Sequence, residues 1–458
     1  MVHRFKSGKF NIVLDVNSGG IHLMDELAYS LVPLMEGRLN ASADELHAKL
    51  NGSYSIEEIK EAADEIRTLA EEGWLYTEDD YEKYVEVFQE QKEKEGIVKA
   101  LCLHIAHDCN LRCRYCFASK GDYHGERSLM DYIVGKKALD FLMDNSGGRV
   151  NLEVDFFGGE PTLNFDVVKR LVEYGRKEEK RRNKRFRFTL TTNGLLLNDD
   201  VLEFANREMD NLVLSLDGRK EVHDRMRPNV SGSGSYDSVL PKFLKAAESR
   251  NQERYYVRGT YTRYNLDFAR DVLHLNDLGF EQISVEPVVA DLSEPYALRE
   301  EDIPELLKQY DILAEEIVKR RKVGKYINFF HFMIDLTGGP CLAKRLSGCG
   351  AGGEYLAVTP KGDLYPCHQF VGDERFKLGD VEQGIVNRGL KKEFGLSNVY
   401  TRPECRKCFA KFFCSGGCSA NAYHFSGDLN GQYRIGCELE RKRVECAIAV
   451  HAALAEEE

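Results

Sequence analysis

The run CNLRCRYC carries the most informative chemistry in this chain. Its thiols belong to Cys109, Cys113 and Cys116. Thiolates are soft ligands that suit iron–sulfur clusters. A 4Fe–4S cube has four corners, so three cysteines leave one iron open to a cofactor, much as an open position on a catalytic metal admits a substrate. Zinc is the alternative, but it usually closes four ligands in paired C-x₂-C knuckles and fits this uneven triplet poorly.

A second field of cysteines lies in the last quarter of the chain and predicts further clusters. It comprises Cys405-x₂-Cys408-x₅-Cys414-x₃-Cys418 and Cys437, preceded by Cys341, Cys349 and Cys367. Structural zinc is the alternative for the C-x₂-C pair. Two remaining cysteines, Cys102 in a strand-like run and Cys446 in a helical run, are expected to be small buried apolar residues.

Composition limits the possible classes of protein. A length of 458 residues predicts two to four domains. The net charge of -12 argues against a dedicated nucleic-acid binder. No run is long enough to span a membrane, and the first residues lack the features of a signal peptide. We therefore expect a cytoplasmic protein, in which thirteen cysteines favour metal over disulfides.

The elements that must position the first cysteine loop lie between residues 99 and 300. The loop directly follows the strand-like run ALCLHIAH, and five further strand-like runs alternate with five helical ones. Such alternation predicts a parallel sheet with right-handed crossovers. Each strand ends in a polar, glycine-rich or cysteine-rich loop, which is where parallel barrels place their chemistry.

The regions before and after residues 99–300 are predicted to form separate units. Residues 1–80 show a hairpin turn signal and three helical patterns, and they resemble a winged helix-turn-helix. The acidic third helix would read DNA poorly, and a simple capping domain is the alternative. Residues 81–98 predict a linker helix and residues 301–337 bridging helices. Residues 338–458 have the composition of a small domain held by metal.

The C-x₃-C-x₂-C motif, with Tyr115 directly before its last cysteine, resembles the radical S-adenosylmethionine (SAM) superfamily. The resemblance implies an α/β fold with a partial (β/α)₆ barrel, a 4Fe–4S cluster and SAM bound to its open iron. Reductive cleavage of SAM would give a 5′-deoxyadenosyl radical that abstracts hydrogen from a substrate. The cofactor supplies the difficult chemistry and the protein supplies placement.

Loops after the later strands agree with this resemblance. Phe157 to Pro161 is similar to the family's GGEP element, whose glycines allow close backbone approach. The implied cofactor contacts are Tyr115, Gly158, Gly159, Glu160, Pro161, Asn193, Ser215 and Asp217. The Glu160 carboxylate would face the amino group of SAM. Capping of the local loop is the alternative role for Asn193, Ser215 and Asp217. The stretch from Leu214 through His223 to Pro228 is similar to that of members acting on peptides, and no catalytic role is assigned to it.

The second cysteine field resembles the SPASM domain, a C-terminal module of peptide-modifying radical SAM enzymes. The resemblance implies two auxiliary 4Fe–4S clusters, and hence three clusters in all. The implied outer ligands are Cys405, Cys408, Cys414 and Cys437. The implied inner ligands are Cys349, Cys367 and Cys418, with Cys341 as the expected fourth. If Cys341 points elsewhere, the inner cluster keeps an open iron that a substrate thiolate could occupy.

The whole layout resembles maturases that form sulfur-to-carbon thioether crosslinks in cysteine-rich ribosomal peptides, of the sactipeptide and six-cysteine-in-forty-five types. The expected partners are a precursor peptide with a leader and a reductant such as flavodoxin or ferredoxin, without nucleic acid or membrane. The leader would bind as an added strand, at an edge formed by the start of the third helix and the strand Asn11–Asp15.

Alternatives within the family are carbon–carbon crosslinking, epimerisation and formylglycine formation. The N-terminal unit disfavours the formylglycine (sulfatase) case, because that substrate needs no leader-binding domain of this kind. An alternative of another class is a non-catalytic iron–sulfur or zinc protein that binds a partner. No catalytic base is assigned from the sequence.

Overall fold

The computed structural model describes residues 1–87, 89–90, 96–336 and 346–456. Cys341, the expected fourth inner ligand, lies outside the described residues. Across the described part, no helix combines the length and apolarity that a membrane span needs.

The N-terminal unit is a three-stranded antiparallel sheet covered by three helices. Its strands are β1 (Val2–Ser7), β2 (Phe10–Asp15) and β3 (Ile21–Met24), and its helices are α1 (Glu26–Met35), α2 (Ala43–Lys49) and α3 (Ile56–Glu71). Ser42 and Ser55 begin α2 and α3 with capping boxes, which satisfy orphan backbone N–H groups. Ile59, Ala62 and Ile66 turn one face of α3 into the core.

The strand order β1-β2-β3 corrects one expectation about this unit. The segment Asn11–Asp15 belongs to β2, which pairs with β1 on one side and β3 on the other. It is therefore the central strand, and the prediction that it forms a docking edge was wrong. The reason is β1, an unpredicted strand that covers the second side of β2. Within the described residues, β3 pairs with β2 alone and leaves its outer edge open.

Six parallel strands form the central sheet. They are β4 (Ala100–His107), β6 (Asn151–Gly158), β7 (Arg185–Thr192), β8 (Asn211–Ser215), β9 (Tyr255–Tyr261) and β10 (Gln282–Pro287), and a short β5 (Ser128–Leu129) pairs with β4. Neighbouring strands follow chain order, and all five pairings are parallel. This confirms the predicted α/β fold with a partial barrel.

Helices cover the outer face of this sheet. They are α4 (Tyr132–Asp144), α5 (Phe165–Arg182), α6 (Asp199–Glu208), α7 (Lys220–Met226), α8 (Tyr236–Ser249) and α9 (Phe268–Asp277). Strand residues alternate, so that Val154 and Phe156 are buried beneath the helices while their neighbours face the barrel interior. Phe156 and Phe188 stack on adjacent strands with ring centroids 5.5 Å apart. The apolar layer therefore lies outside the sheet, and polar side chains remain available inside it.

The C-terminal part extends the barrel sheet instead of folding apart from it. After α10 (Ile303–Lys322) and β11 (Asn328–Phe329), strand β12 (Tyr355–Val358) pairs in parallel with β4. The sheet continues through β13 (Asp363–Tyr365), β14 (Gly379–Asp380) and β15 (Gly384–Ile385). The remaining helices are α11 (Arg388–Leu396), α12 (Pro403–Arg406), α13 (Lys411–Cys414), α14 (Ser419–Ser426) and α15 (Arg434–Ala455). The apolar run of β12, with Leu356 and Ala357 fully buried, explains why it adds to the open side of β4.

The N-terminal sheet also packs on the cysteine-rich region. Phe5 and Leu14 share a buried cluster with Tyr400 and Phe412. The His3 ring stacks on Phe409, which lies between two of the predicted cluster ligands, with centroids 3.5 Å apart. The N-terminal unit, the barrel and the cysteine-rich region thus form one continuous structure.

Candidate active site

The first cysteine loop opens into a cavity at the carboxyl ends of the barrel strands. Cys109, Cys113 and Cys116 all line this cavity, whose volume is about 330 Å³. The N–H of Leu111 donates to Cys109 Sγ at 3.4 Å, and Asn193 Nδ2 lies 3.6 Å from the same sulfur. Burial raises the pKa of Cys109 and of Cys113 to about 12. Such thiols stay protonated unless a metal group replaces the proton.

The three thiols are neighbours in the wall of this cavity. The charges of Cys113 and Cys116 both raise the pKa of Cys109, although less than burial does. Thiolates of neighbouring cysteines are the ligands that iron–sulfur clusters use. The three residues therefore fit the cluster that the sequence predicts.

Two glycines let the surrounding loops approach closely. A Cβ on Gly121 would lie 2.7 Å from Cys109 Cβ, and one on Gly159 would lie 2.1 Å from the Asp108 carbonyl oxygen. Glycine at both positions therefore brings the GGEP loop against the cysteine loop. This close packing explains why the two motifs, 42 residues apart at their nearest ends, face one cavity.

Glu160 places a buried carboxylate in the cavity wall. Its Oε1 accepts bonds from Thr162 N (3.0 Å), Thr162 Oγ1 and Thr192 Oγ1 (2.8 Å), and its Oε2 accepts from Asn193 N (2.7 Å). Burial raises the pKa of Glu160, while these four donors oppose that rise. All four donors are neutral, so a bound ammonium group would be the first cationic partner for this carboxylate.

Most of the predicted cofactor contacts reach the same cavity. Its lining includes Tyr115, Gly158, Gly159, Glu160, Pro161, Asn193 and Ser215. Asp217 differs, because it is fully buried behind Tyr115 and is not part of the lining. Its carboxylate accepts bonds from Tyr115 OH (2.6 Å), Arg227 Nε (3.0 Å) and Thr260 N (2.9 Å). This placement favours a supporting role for Asp217 over direct contact with a cofactor.

The cavity lining also includes polar and charged residues that the sequence reasoning missed. They are Arg258 and Thr260 from β9, Glu286 from β10, and His368, Gln369 and Asn421 from the cysteine-rich region. Alternation along β9 and β10 could have identified Arg258 and Glu286 as inward-facing. Burial opposes ionisation of Glu286, but His331, Arg443 and Arg258 outweigh it and hold the pKa of Glu286 below its ordinary range.

The second cysteine field separates into two sets of thiols. Cys405, Cys408, Cys414 and Cys437 line a second cavity of about 290 Å³, and Cys418 also reaches it. Burial raises the pKa of Cys405 to about 11, and the neighbouring thiols of Cys437 and Cys408 add to the rise. These four residues are the predicted outer ligands, and the structure places them together. Their ligation of a cluster stays a prediction.

The other set comprises Cys349, Cys367 and Cys418. Burial raises the pKa of Cys367, and the charges of Cys418 and Cys349 raise it further, which makes the three thiols neighbours. These are the predicted inner ligands, and Cys341 cannot be compared with them because it lies outside the described residues. The expected apolar roles of Cys102 and Cys446 are confirmed, since they are 1% and 3% exposed within β4 and α15.

Comparisons with known proteins agree with both cysteine regions. Residues 103–250 match the model of the radical SAM superfamily, and residues 349–409 match the SPASM iron–sulfur cluster-binding domain. A cysteine-type anaerobic sulfatase-maturating enzyme of Clostridium novyi is 26% identical over 332 residues, which covers 69% of this chain and 86% of the relative.

Two solved structures show the same fold. Native anSMEcpe with bound AdoMet superposes with a TM-score of 0.63 at 19% identity, and covers 77% of this chain and 99% of its own. SuiB of Streptococcus suis bound to S-adenosylmethionine superposes with a TM-score of 0.52 at 17% identity. The match covers 94% of this chain and 97% of the SuiB chain. SuiB has also been solved bound to its precursor peptide SuiA. The chain therefore carries a radical SAM domain over residues 103–250 and, C-terminal to it, a SPASM domain over residues 349–409.

Proposed function

We propose that this protein is a peptide maturase that forms intramolecular thioether bonds, from cysteine sulfur to carbon, in a ribosomally made cysteine-rich precursor peptide. The observation that carries the proposal is the position of the inner thiol set beside the active cavity. His368 and Gln369 directly follow Cys367, and both line that cavity. Gln369 Nε2 also lies 3.9 Å from Cys418 Sγ.

The chemistry explains why this position matters. When bound, a 4Fe–4S cluster with SAM supplies a 5′-deoxyadenosyl radical that takes a hydrogen atom from the acceptor carbon. Joining that carbon to a thiol also releases one proton and one electron from the peptide. An electron acceptor is therefore needed near the cavity. A cluster held by the inner thiol set (Cys349, Cys367 and Cys418) would lie close enough to accept this electron. Cys341 is the proposed fourth ligand of that cluster, and a substrate thiolate is the alternative.

The chain's own residues would orient the reactants. Glu160 would hold the amino group of SAM, and Asn193 and Ser215 would hydrogen-bond other polar parts of the cofactor. Residues of the SPASM domain close the opposite wall of the cavity, with His368 facing Phe157 at a ring distance of 5.3 Å. A wall made by two domains selects a substrate carbon by orientation, which is the main contribution of a protein to radical chemistry.

The N-terminal unit supports a peptide substrate with a leader. The open edge of β3 offers backbone N–H and C=O groups to an added strand. Two apolar side chains beside it are half exposed, Leu23 at 50% and Trp74 at 51%. His22 Nε2 contacts the Trp74 carbonyl at 3.0 Å, which fixes Trp74 next to this edge. We propose that the leader pairs with β3 and covers Leu23 and Trp74.

Fold similarity also supports this role for the N-terminal unit. The SuiB superposition leaves only 6% of this chain uncovered, which is far fewer residues than the N-terminal unit contains. The similarity therefore includes much of that unit. The N-terminal unit contributes no residue to the lining of the candidate active site, so the chemistry of the barrel does not account for its presence.

Formylglycine formation is the second candidate function. It is favoured by the sulfatase-maturating relative from Clostridium novyi, whose match covers most of that protein but only 69% of this chain. The leader-binding unit disfavours it. Carbon–carbon crosslinking and epimerisation remain alternatives within the same chemistry.

Mass spectrometry of a treated peptide tests these functions against each other. The reconstituted enzyme, with SAM and a chemical reductant, is incubated with a cysteine-rich peptide encoded beside its gene. A thioether removes two hydrogen atoms, keeps the sulfur and blocks alkylation of that cysteine. Formylglycine loses the sulfur, and epimerisation leaves the mass unchanged. Thiols that all remain free to alkylate would contradict the proposal, and a C113A variant controls for chemistry without the cluster.

A further inference from the structure

The segment 226–229 lies beside the first cysteine loop and forms a short antiparallel ladder with it. The contacts run from Arg112 N to Pro228 O (2.8 Å), from Arg114 N to Met226 O (2.9 Å), and between Leu111 and Asn229 as an isolated β-bridge. This register sets Arg227 directly opposite Cys113. Side chains of an opposed pair project on the same face, so the guanidinium and the thiol are neighbours.

Arg227 is held firmly in this position. Its Nε donates to Asp217 Oδ1 at 3.0 Å, and the same carboxylate accepts bonds from Tyr115 OH and Thr260 N. The side chain of Arg227 is 11% exposed and that of Asp217 is fully buried. A charge pair so little exposed to solvent is weakly screened by salt. Arg227 also lines the active cavity beside the three cysteines.

The electrostatics agree with this geometry. The guanidinium of Arg227 is permanently charged, and it lies in the same cavity wall as the Cys113 thiol. A cation that stabilises a thiolate also stabilises additional negative charge on a cluster bound by that thiolate. Reduction potentials of iron–sulfur clusters depend on net charge and on hydrogen bonds to sulfur.

We propose that Arg227 is a positioning residue for the cluster held by Cys109, Cys113 and Cys116, and that its fixed positive charge raises the reduction potential of that cluster. Asp217 holds the guanidinium of Arg227 in place, and its own negative charge partly offsets the effect of Arg227 on the reduction potential. The segment that contains Arg227 received no role from the sequence. This proposal rests on the radical SAM domain alone, and its test contains no peptide, so it stands or falls independently of the proposed function.

A potentiometric titration followed by electron paramagnetic resonance tests the proposal. The reconstituted holoenzyme is titrated, and the signal that changes on addition of SAM is followed, because only a cluster with an open iron responds to SAM. In R227M, the ratio of reduced to oxidised cluster at a given potential should fall about tenfold. This fall corresponds to a reduction potential lower by about 59 mV for a one-electron couple. In D217N the shift should have the opposite sign, because one buried negative charge is lost while an amide remains to bond Tyr115.

Opposite shifts separate a charge effect from structural damage, which would move both variants in the same direction. R225M is the matched control: it removes the same charge two residues away, from an exposed side chain that stacks on Tyr264 at 3.4 Å. Its potential should equal that of the unmodified protein. An unshifted potential in R227M with full iron content, or an equal shift in R225M, would overturn the proposal. If R227M does not assemble the cluster, an unshifted or lowered potential in D217N overturns it.

Discussion

At the scale of single residues, the active cavity contains side chains whose buried charges require defined partners. Glu160 has four neutral hydrogen-bond donors, while burial raises its pKa. Arg227 is paired with Asp217 and faces Cys113. The sequence motifs indicated the residue types, because cysteine spacing and the GGEP run are local. They could not indicate that Asp217 lies behind Tyr115, since that depends on side chains from four separate strands and loops.

The first prediction concerns Glu160. In E160Q, SAM affinity should fall about tenfold or more, because a charged hydrogen bond to the cofactor's ammonium group contributes about 1.5–3 kcal/mol. Equilibrium dialysis of the reconstituted protein with labelled SAM measures this change. E153Q is the control, since Glu153 lies on the same strand and is exposed. Unchanged SAM affinity in E160Q would rule out the proposed contact.

At the scale of elements, the decisive feature is the close contact between the loops that follow β4 and β6. Both loops were predicted from strand–helix alternation, and the parallel sheet explains why they meet at one end. The contact itself depends on glycine at position 159. Pairing of β12 with β4 was not predicted, because a four-residue apolar run carries no information about its partner strand.

The second prediction tests this contact. In G159A, the new Cβ would overlap the Asp108 carbonyl, so the loops must separate. We expect a loss of about 1–3 kcal/mol in the free energy of unfolding and reduced iron at the first cysteine loop. Urea unfolding and iron analysis after reconstitution measure the two effects.

G148A is the matched control for this substitution, because nothing lies within 4 Å of the Cβ it would add. Equal stability and iron content in G159A and G148A would show that the close approach is not required.

At the scale of the whole molecule, the N-terminal unit is attached to the region that carries the predicted outer cluster ligands. Lys411, which is 1% exposed, pairs with Asp79, and Tyr400 OH donates to the same carboxylate at 2.7 Å. Burial raises the pKa of Asp79, but Lys411 and Tyr400 outweigh burial and lower it. The stabilisation is therefore full above the ordinary carboxyl pKa, and it is lost as the pH falls through the lowered value.

The third prediction concerns this attachment. In K411M, amide hydrogen exchange in residues 77–84 should become faster, because Asp79 loses its cationic partner. Exchange within α3 should stay unchanged, since its core contacts lie inside the N-terminal unit. Hydrogen-exchange mass spectrometry resolves the two regions.

K83M is the matched control for K411M, as it breaks an exposed local pair with Asp80. Such exposed pairs contribute little to stability. Equal exchange in K411M and K83M would show that the Lys411–Asp79 pair does not hold the two regions together.

The amino-acid sequence by itself predicted the cysteine groups, the strand–helix alternation and the glycine-rich loops, because each is visible in the spacing of residue types along the chain. Only the tertiary structure decided that β2 is central and β3 is the open edge, that β12 extends the barrel, and that Arg227 stands opposite Cys113. The pairing of β12 with β4 and the register of Arg227 with Cys113 depend on backbone hydrogen bonds between segments that are distant in the chain. The order β1-β2-β3 depends on which neighbouring runs pair with each other. A strand's own residues specify that it will pair, but the partner and the register depend on which complementary edges the rest of the fold leaves free.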